Sequence, residues 1–478
     1  MALGLFMVRG MKPSLLAALA LIATPAFAQD LTPTESAKVD TIVTDALTKS
    51  GVPSASVAIV RGGRIVFAKA YGKQSETIAV ATPERPYQIA SISKQFTAAA
   101  LLMLEDEGKL SLDDTVAKWI PDITDGDKIS IRQLLSHTSG LQDYWPQDYS
   151  FALMAKPTTP QGIVDRWAKK PLDFQPGTAW QYSNTGYVVA GMIAEKAAGK
   201  PLLAYLQEKV FKPLGIKAID QDLAVGKNYP QGYQRFALGP VRVEKPAARG
   251  WLFAAGELSM SASDLAKWDI ARMNRTLLPA DDWQAQETTV KLTSGKDTGY
   301  GLGVTAGTND GRRFVEHSGE AVGFLSENVV FPDDKAAVVV FVNADFSDAY
   351  TSITGQIAKL ILPPAATPPV AADTEASFTA HARVVFDQLR TGTLDRKVMT
   401  DDQNYYFTDV ALGDYRDSLG KLGDPTGFAL KRPARLRGGF VNRNYTVTYA
   451  DGRKLTVVTY AETGANGRYE QFLVMPAE

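Results

Sequence analysis

Ala90-Ser91-Ile92-Ser93-Lys94-Gln95-Phe96, running on through Thr97 to Leu110, is the stretch around which the rest of the chain is organised. Helix-favouring, mostly apolar residues follow Lys94 (Ala98, Ala99, Ala100, Leu101, Leu102, Met103, Leu104), with no Gly or Pro until Gly108. The spacing predicts a largely buried helix with Ser91 at its N-terminus. Unpaired N–H groups and the positive end of the helix dipole would there favour the negative charge that develops when a hydroxyl attacks a carbonyl. Lys94 falls one turn on, within reach of the Ser91 oxygen. Desolvation in an apolar helix favours the neutral amine, which can accept the Ser91 proton.

Ser-x-x-Lys is a short pattern, and Ser418-Leu419-Gly420-Lys421 repeats it without starting a comparable apolar helix. On this motif alone, Ser91 as a helix cap and Lys94 as a snorkelling surface residue stay open beside the catalytic reading.

The chain of 478 residues exceeds one ordinary core, so two domains are expected. Its 45% hydrophobic and 22% charged residues are those of a globular protein, and a net charge of −1 gives no argument for nucleic acid or an anionic membrane surface. Arg9 and Lys12 precede the apolar run Leu15 to Ile22, and Ala26-Phe27-Ala28 places small residues at a cleavage site. Residues 1–28 therefore read as a secretory signal peptide, with the mature chain beginning near Gln29 and a periplasmic or secreted location. The apolar run is short for a bilayer span, so no stable membrane insertion is expected. There is no cysteine, which excludes disulfides, a thiol nucleophile and Cys-ligated metal. No cofactor or metal site is indicated; the expected partner is a small-molecule or peptide substrate.

In chain order, a helix is expected from Thr34 to Ser50. A hairpin follows, Ala55 to Arg61 and Arg64 to Tyr71 about Gly62-Gly63. From Leu110 to about Lys245 lie helical pieces broken by Pro and Gly, including Gln161 to Lys169, Gly186 to Ala198 and Leu202 to Val210. Strands return at Arg313 to His317, Gly323 to Phe331 and Ala336 to Asn343, and a helix from Tyr350 to Leu362 closes the unit. Strands at both ends with helices between them predict an α/β (α+β) fold: one antiparallel sheet flanked by helices, with an inserted helical region.

Two further motifs occur in this unit. Gln181-Tyr182-Ser183-Asn184 holds the only Tyr-x-Asn of the chain, and in an extended loop both side chains can face one cleft, the phenol as proton carrier and the amide as donor to substrate. His317-Ser318-Gly319 ends a predicted strand whose edge can pair with an extended substrate, Gly319 permitting close backbone approach. Taken singly, a surface loop is the commoner reading of the first, and a buried or edge-strand histidine followed by a turn the commoner reading of the second.

Ser91-x-x-Lys94, Tyr182-x-Asn184 and His317-Ser318-Gly319, in that order, resemble the three signatures of the serine β-lactamase and penicillin-binding-protein superfamily. The tyrosine form of the middle motif resembles the class C-like branch: class C β-lactamases, family VIII esterases, D-aminopeptidases and D,D-peptidases. Leu134-Leu135-Ser136-His137-Thr138-Ser139-Gly140-Leu141 and Ala254-Ala255-Gly256-Glu257-Leu258, leading into Ser263-Asp264-Leu265-Ala266-Lys267-Trp268, are similar too. The resemblance implies a β-lactamase-like fold and an acyl-enzyme on Ser91, with Lys94 and Tyr182 sharing the proton. It further implies an oxyanion hole from the N–H groups of Ser91 and Glu320, Asn184 on the acyl side of the substrate, and a water activated by Tyr182.

Two departures bear on the substrate. His317-Ser318-Gly319 stands where class C β-lactamases resemble one another in Lys-Thr-Gly, which replaces a permanent cation by a group mostly neutral above about pH 7 and weakens recognition of a carboxylate. Glu320 stands where a small residue is usual. His137 is not needed as a base, because the Lys/Tyr pair already moves the proton. Tyr144, Trp145 and Trp180 are candidates for the cleft wall or for core packing.

Leu362-Pro363-Pro364-Ala365-Ala366-Thr367-Pro368-Pro369 reads as a semi-rigid connector. The expected division is a hydrolase domain over 29–362, a Pro/Ala-rich linker over 363–375 and a small α+β domain over 376–478. Helices at Ala376 to Leu389 and Val410 to Leu419 precede alternating runs at Phe428 to Leu436, Asn444 to Tyr449, Lys454 to Tyr460 and Glu470 to Val474, loosely similar to NTF2-like or cystatin-like domains. Three readings stay open: a hydrolase of esters or small, D-amino-acid-containing amides; a class C-type β-lactamase; and a penicillin- or peptidoglycan-binding sensor without turnover.

Overall fold

The computed structural model describes residues 30–309, 312–362, 375–432, 434–437, 440–462, 464 and 467–477. The expected signal peptide, and the linker before Glu375, lie outside the described residues.

Six strands form one antiparallel sheet: β1 (Ser54–Arg61), β2 (Arg64–Gly72), β3 (Thr305–Asn309), β4 (Arg312–Ala321), β5 (Phe324–Phe331) and β6 (Ala336–Val342), in the order β2-β1-β6-β5-β4-β3. Strands from the two ends of the domain meet where β1 pairs with β6. Every residue of β6 is apolar because both of its faces are covered. Val338, Val340 and Val342 join the helices α1 (Pro33–Ser50) and α5 (Ala349–Ile361), while Ala337, Val339 and Phe341 face the larger core, which also holds helices α2 (Lys94–Asp106), α3 (Asn184–Ala198) and α4 (Ala262–Asn274).

The structure lengthens β4 beyond the expected Arg313 to His317, which puts His317 in mid-strand. It also adds β3, whose short Thr-Ala-Gly-Thr-Asn sequence carries little strand signal. Helix α2 stops at Asp106 rather than Leu110, because Gly108 takes a left-handed φ of 67°.

The C-terminal domain has helices α6 (Ala376–Thr391), α7 (Asp401–Tyr406) and α8 (Asp409–Leu419) beside an antiparallel sheet of β7 (Gly427–Leu430), β8 (Arg435–Arg437), β9 (Phe440–Thr448), β10 (Lys454–Glu462) and β11 (Tyr469–Pro476). Its separate core takes Ala237 from the first domain. Tyr149 Oη donates to the Glu470 carbonyl at 2.6 Å, Gln471 Nε2 donates to Asp148 Oδ2 at 2.7 Å, and Asp148 N–H returns to Gln471 Oε1. No helix among the described residues is long and apolar enough to cross a membrane. Ser418 of the second Ser-x-x-Lys is a joint between domains: its hydroxyl accepts from Leu238 N–H at 3.2 Å.

Candidate active site

Ser91 sits in a 3-10 turn, Ala90–Ser93, so the α-helix begins one turn later than expected, at Lys94. Ala90 has a left-handed φ of 47°, and Ser91 is partly exposed while Ala90, Ile92 and Ser93 are buried. The turn thereby projects the hydroxyl out of an otherwise apolar segment.

Lys94 is fully buried. Its Nζ lies 3.0 Å from Ser91 Oγ, 2.8 Å from Asn184 Oδ1 and 2.7 Å from the Ala255 carbonyl, and 4.8 Å from the centre of the Tyr182 ring. A buried amine demands such partners, since an unpaired one costs several kcal/mol (order of magnitude).

Asn184 opens α3, with Ser183 as its N-cap. Its amide is engaged at both ends: Oδ1 accepts from Lys94, and Nδ2 donates to Asp143 Oδ2 at 3.3 Å. Asp143 Oδ1 accepts the backbone N–H groups of Asn184 and Trp145, each at 3.1 Å. Asp143 carries a single signal in the sequence, its place just after the Thr138-Ser139-Gly140-Leu141 stretch.

His137 is buried with a φ of 60°. Its Nδ1 accepts Ser183 N–H at 3.1 Å, its carbonyl accepts Gln181 N–H at 3.0 Å, and its ring centre lies 4.1 Å from that of Tyr182. It braces the tyrosine loop.

On β4, His317 is buried; its Nδ1 donates to the Ser318 carbonyl at 2.5 Å and its Nε2 accepts from Tyr300 Oη at 2.8 Å. Burial first, then the charge of nearby Lys94, pushes its pKa down to about 3, so the ring is neutral. Its centre is 6.2 Å from that of Tyr182. Nothing local in the sequence marks Tyr300. The Ser318 side chain alternates to the exposed face. Gly319 lies against the carbonyl of Ile89, just before the nucleophile turn, and a Cβ there would overlap that oxygen and Ser326 Oγ. Glu320 is partly exposed on the wall of a cavity of about 340 Å³, which Trp145 also lines. Trp180 packs on Tyr300 and His137, whereas Tyr144 belongs to the core with Trp167 and Trp251.

Ser91, Lys94 and Asn184 are thus hydrogen-bonded together, Tyr182 flanks Lys94, and β4 backs the turn that carries the serine. A family model described as "Beta-lactamase" matches residues 39–360. Penicillin-binding protein 4* of Bacillus subtilis is 28% identical over 64% of this chain and 72% of its own length, and protein flp of Staphylococcus aureus 29% over 66% and 64%. Among solved structures, a D-stereospecific amidohydrolase from Streptomyces sp. is 29% identical with a TM-score of 0.57, over 66% of this chain and 96% of that one. The octameric penicillin-binding protein homologue from Pyrococcus abyssi shares the fold over 92% of this chain and 99% of its own, at 22% identity and a TM-score of 0.59. The chain belongs to the beta-lactamase family, in the class C-like branch of the β-lactamase and penicillin-binding-protein superfamily.

Proposed function

We propose that this chain is an exported serine hydrolase that forms an acyl-enzyme on Ser91 from a carboxylic ester or a small amide, including amides of D-amino acids. Family membership supports serine-hydrolase action on ester or peptide bonds. The observation that carries the finer reading is the 3.0 Å contact between Lys94 Nζ and Ser91 Oγ, with the amine anchored on Ala255 and Asn184.

Lys94 and Tyr182 share the proton that moves. As Ser91 Oγ bonds to the substrate carbonyl carbon, its proton passes to this pair and the carbonyl oxygen gains charge, met by the N–H groups of Ser91 and Glu320. The C–O or C–N bond then breaks, and the departing alcohol or amine takes the proton from Tyr182. Water adds to the acyl carbon, yields its proton to Tyr182, and the carboxylic acid leaves as Ser91 regains its hydrogen. Asn184 and Asp143 hold Lys94 in place.

The neutral His317 supports esters and uncharged amides over β-lactams or peptide C-termini, whose carboxylate would meet no cation from it. The Streptomyces amidohydrolase places D-stereospecific amides within the class to be tried. Turnover of short-chain aryl esters and D-amino-acid amides by wild type and Ser91→Ala is the test: kcat is expected to fall by about 10⁴ or more. Comparable rates would remove Ser91 from the reaction. Export predicts a mature N-terminus near Gln29, read by N-terminal sequencing of the periplasmic or secreted protein.

A further inference from the structure

The cavity of about 340 Å³ lies where the two domains meet. The first domain supplies Trp145 and the end of β4 at Glu320; the second supplies Tyr405 and Tyr406 from α7 and Leu473 and Met475 from β11. Two walls adjoin the active site directly. Glu320 follows Gly319, which lies against Ile89, and Trp145 N–H shares Asp143 Oδ1 with the N–H of Asn184.

The direction of the substrate follows from β4. Its pairing with β3 ends at Glu316, so β3 does not cover the edge of His317 to Ala321. His317, beside Tyr182, stands at one end of this segment, and Glu320 about 10 Å further along at ~3.3 Å per residue. A leaving group that takes its proton from Tyr182 lies at the His317 end. The acyl group then runs the other way, past Glu320.

We infer that the cavity is the acyl subsite, and that the C-terminal domain, through Leu473 and Met475, sets the length of acyl chain the enzyme accepts. The inference rests on the reading of Ser91 as nucleophile. The aromatic walls suit an apolar acyl group. The acidic side chains on the lining are Asp148, Glu244, Glu320 and Asp345 and the basic ones are Arg235 and Lys245; Arg235 directs its guanidinium to the carbonyls of Ser50 and Gly239, which leaves the exposed Lys245 against four carboxyl groups, so an acyl group with its own carboxylate is disfavoured. The wall is held firmly: besides the bonds of Asp148 and Tyr149 to β11, Tyr406 packs on Tyr149 and Phe236 with ring centres 5.0 and 5.4 Å apart, and Arg242 pairs with Asp414. Its size is at the lower end of small-molecule pockets, roughly 300–1,000 Å³.

The test compares p-nitrophenyl esters from acetate to decanoate on the full mature chain, expressing each kcat/KM relative to acetate for the same variant. Met475→Ala, which opens the wall, is expected to raise the ratio for the first ester beyond the wild-type cut-off by about tenfold, and Met475→Trp to lower it similarly. Tyr405→Ala, on the exposed face of α7, gives a second opening variant should Met475→Ala fail to fold. Profiles that superimpose on wild type overturn the assignment. So does a shift that follows the length of the alcohol, at constant acyl group, rather than that of the acid. Failure of the nucleophile reading is separate: it appears as activity kept by Ser91→Ala and no acyl adduct on Ser91 by intact mass.

Discussion

Replacing Asp143 by asparagine exchanges one oxygen for nitrogen in a side chain only 4% exposed, and the contacts around it say how far the change propagates. Oδ1 holds two backbone N–H groups, so the retained oxygen stays there. The new amide nitrogen then faces Asn184 Nδ2, two donors 3.3 Å apart. Asn184 relieves this by turning its amide over, which aims its own NH₂ at Lys94 Nζ and removes the 2.8 Å bond. A hydrogen bond to a charged group contributes about 1.5–3 kcal/mol, and ~1.4 kcal/mol is tenfold in rate, so kcat/KM is expected to fall by about 10- to 150-fold. Because the lost bond positions the lysine, the fall belongs in kcat with KM little changed. Steady-state kinetics on a short aryl ester, across pH, read this directly, with a thermal melt as control for folding. A properly folded Asp143→Asn enzyme with kcat within about twofold of wild type would refute the relay from Asp143 through Asn184 to Lys94.

Two further expectations concern β4. Gly319→Ala forces a methyl onto the Ile89 carbonyl and Ser326 Oγ, so the strand and the nucleophile turn must separate. We expect a stability loss of about 1–3 kcal/mol by urea titration together with a deep loss of kcat, and a stable, active variant would count against the packing argument. His317 titrates near pH 3 in the fold against an ordinary value of 6.5, so between these values the unfolded chain binds the extra proton. Stability therefore drops as pH falls through that window, by up to about 1.4 kcal/mol per pH unit from this group. His317→Gln removes that contribution, and urea titrations between about pH 6 and 4 should show a flatter decline than wild type; equal slopes would mean the imidazole is protonated in the fold.

What could be read from sequence is what is local. Ser91 and Lys94 lie one turn apart, so their meeting follows from helical geometry, and their contact is 3.0 Å. The hairpin at Gly62-Gly63 and the apolar run Ala336 to Val342 mark themselves by turn chemistry and β-branched residues. The anchors of Lys94 do not. Asn184 is 90 positions away and the Ala255 carbonyl 161, and a backbone oxygen carries no residue signature at all. Asp143 and Tyr300 are hidden in the same way at shorter range, 41 positions from Asn184 and 17 from His317, because their partners come from other elements. Asn184 is legible by type, but its isolated loop shows no acceptor for its amide; Asp143 reaches that amide only when the loop that carries it folds over.

Ala90 shows why so much of the architecture converges on one turn. A left-handed alanine costs about 1–2 kcal/mol, and alone it would relax and carry the Ser91 hydroxyl with it. Its neighbour Ile89 is fixed at both backbone groups: the N–H donates to the Leu258 carbonyl at 3.0 Å, and the carbonyl accepts from Ser326 Oγ at 3.0 Å. Ser93 Oγ accepts Leu258 N–H at 3.1 Å on the far side of the turn. With Gly319 and Gly256 closing against Ile89 and Ala90, neither end of the turn can move without parting the strand beside it. The six-stranded sheet, assembled from both ends of the domain, therefore supplies the rigidity that keeps a strained residue in place, and the strain in turn keeps the serine facing outward and within reach of its lysine.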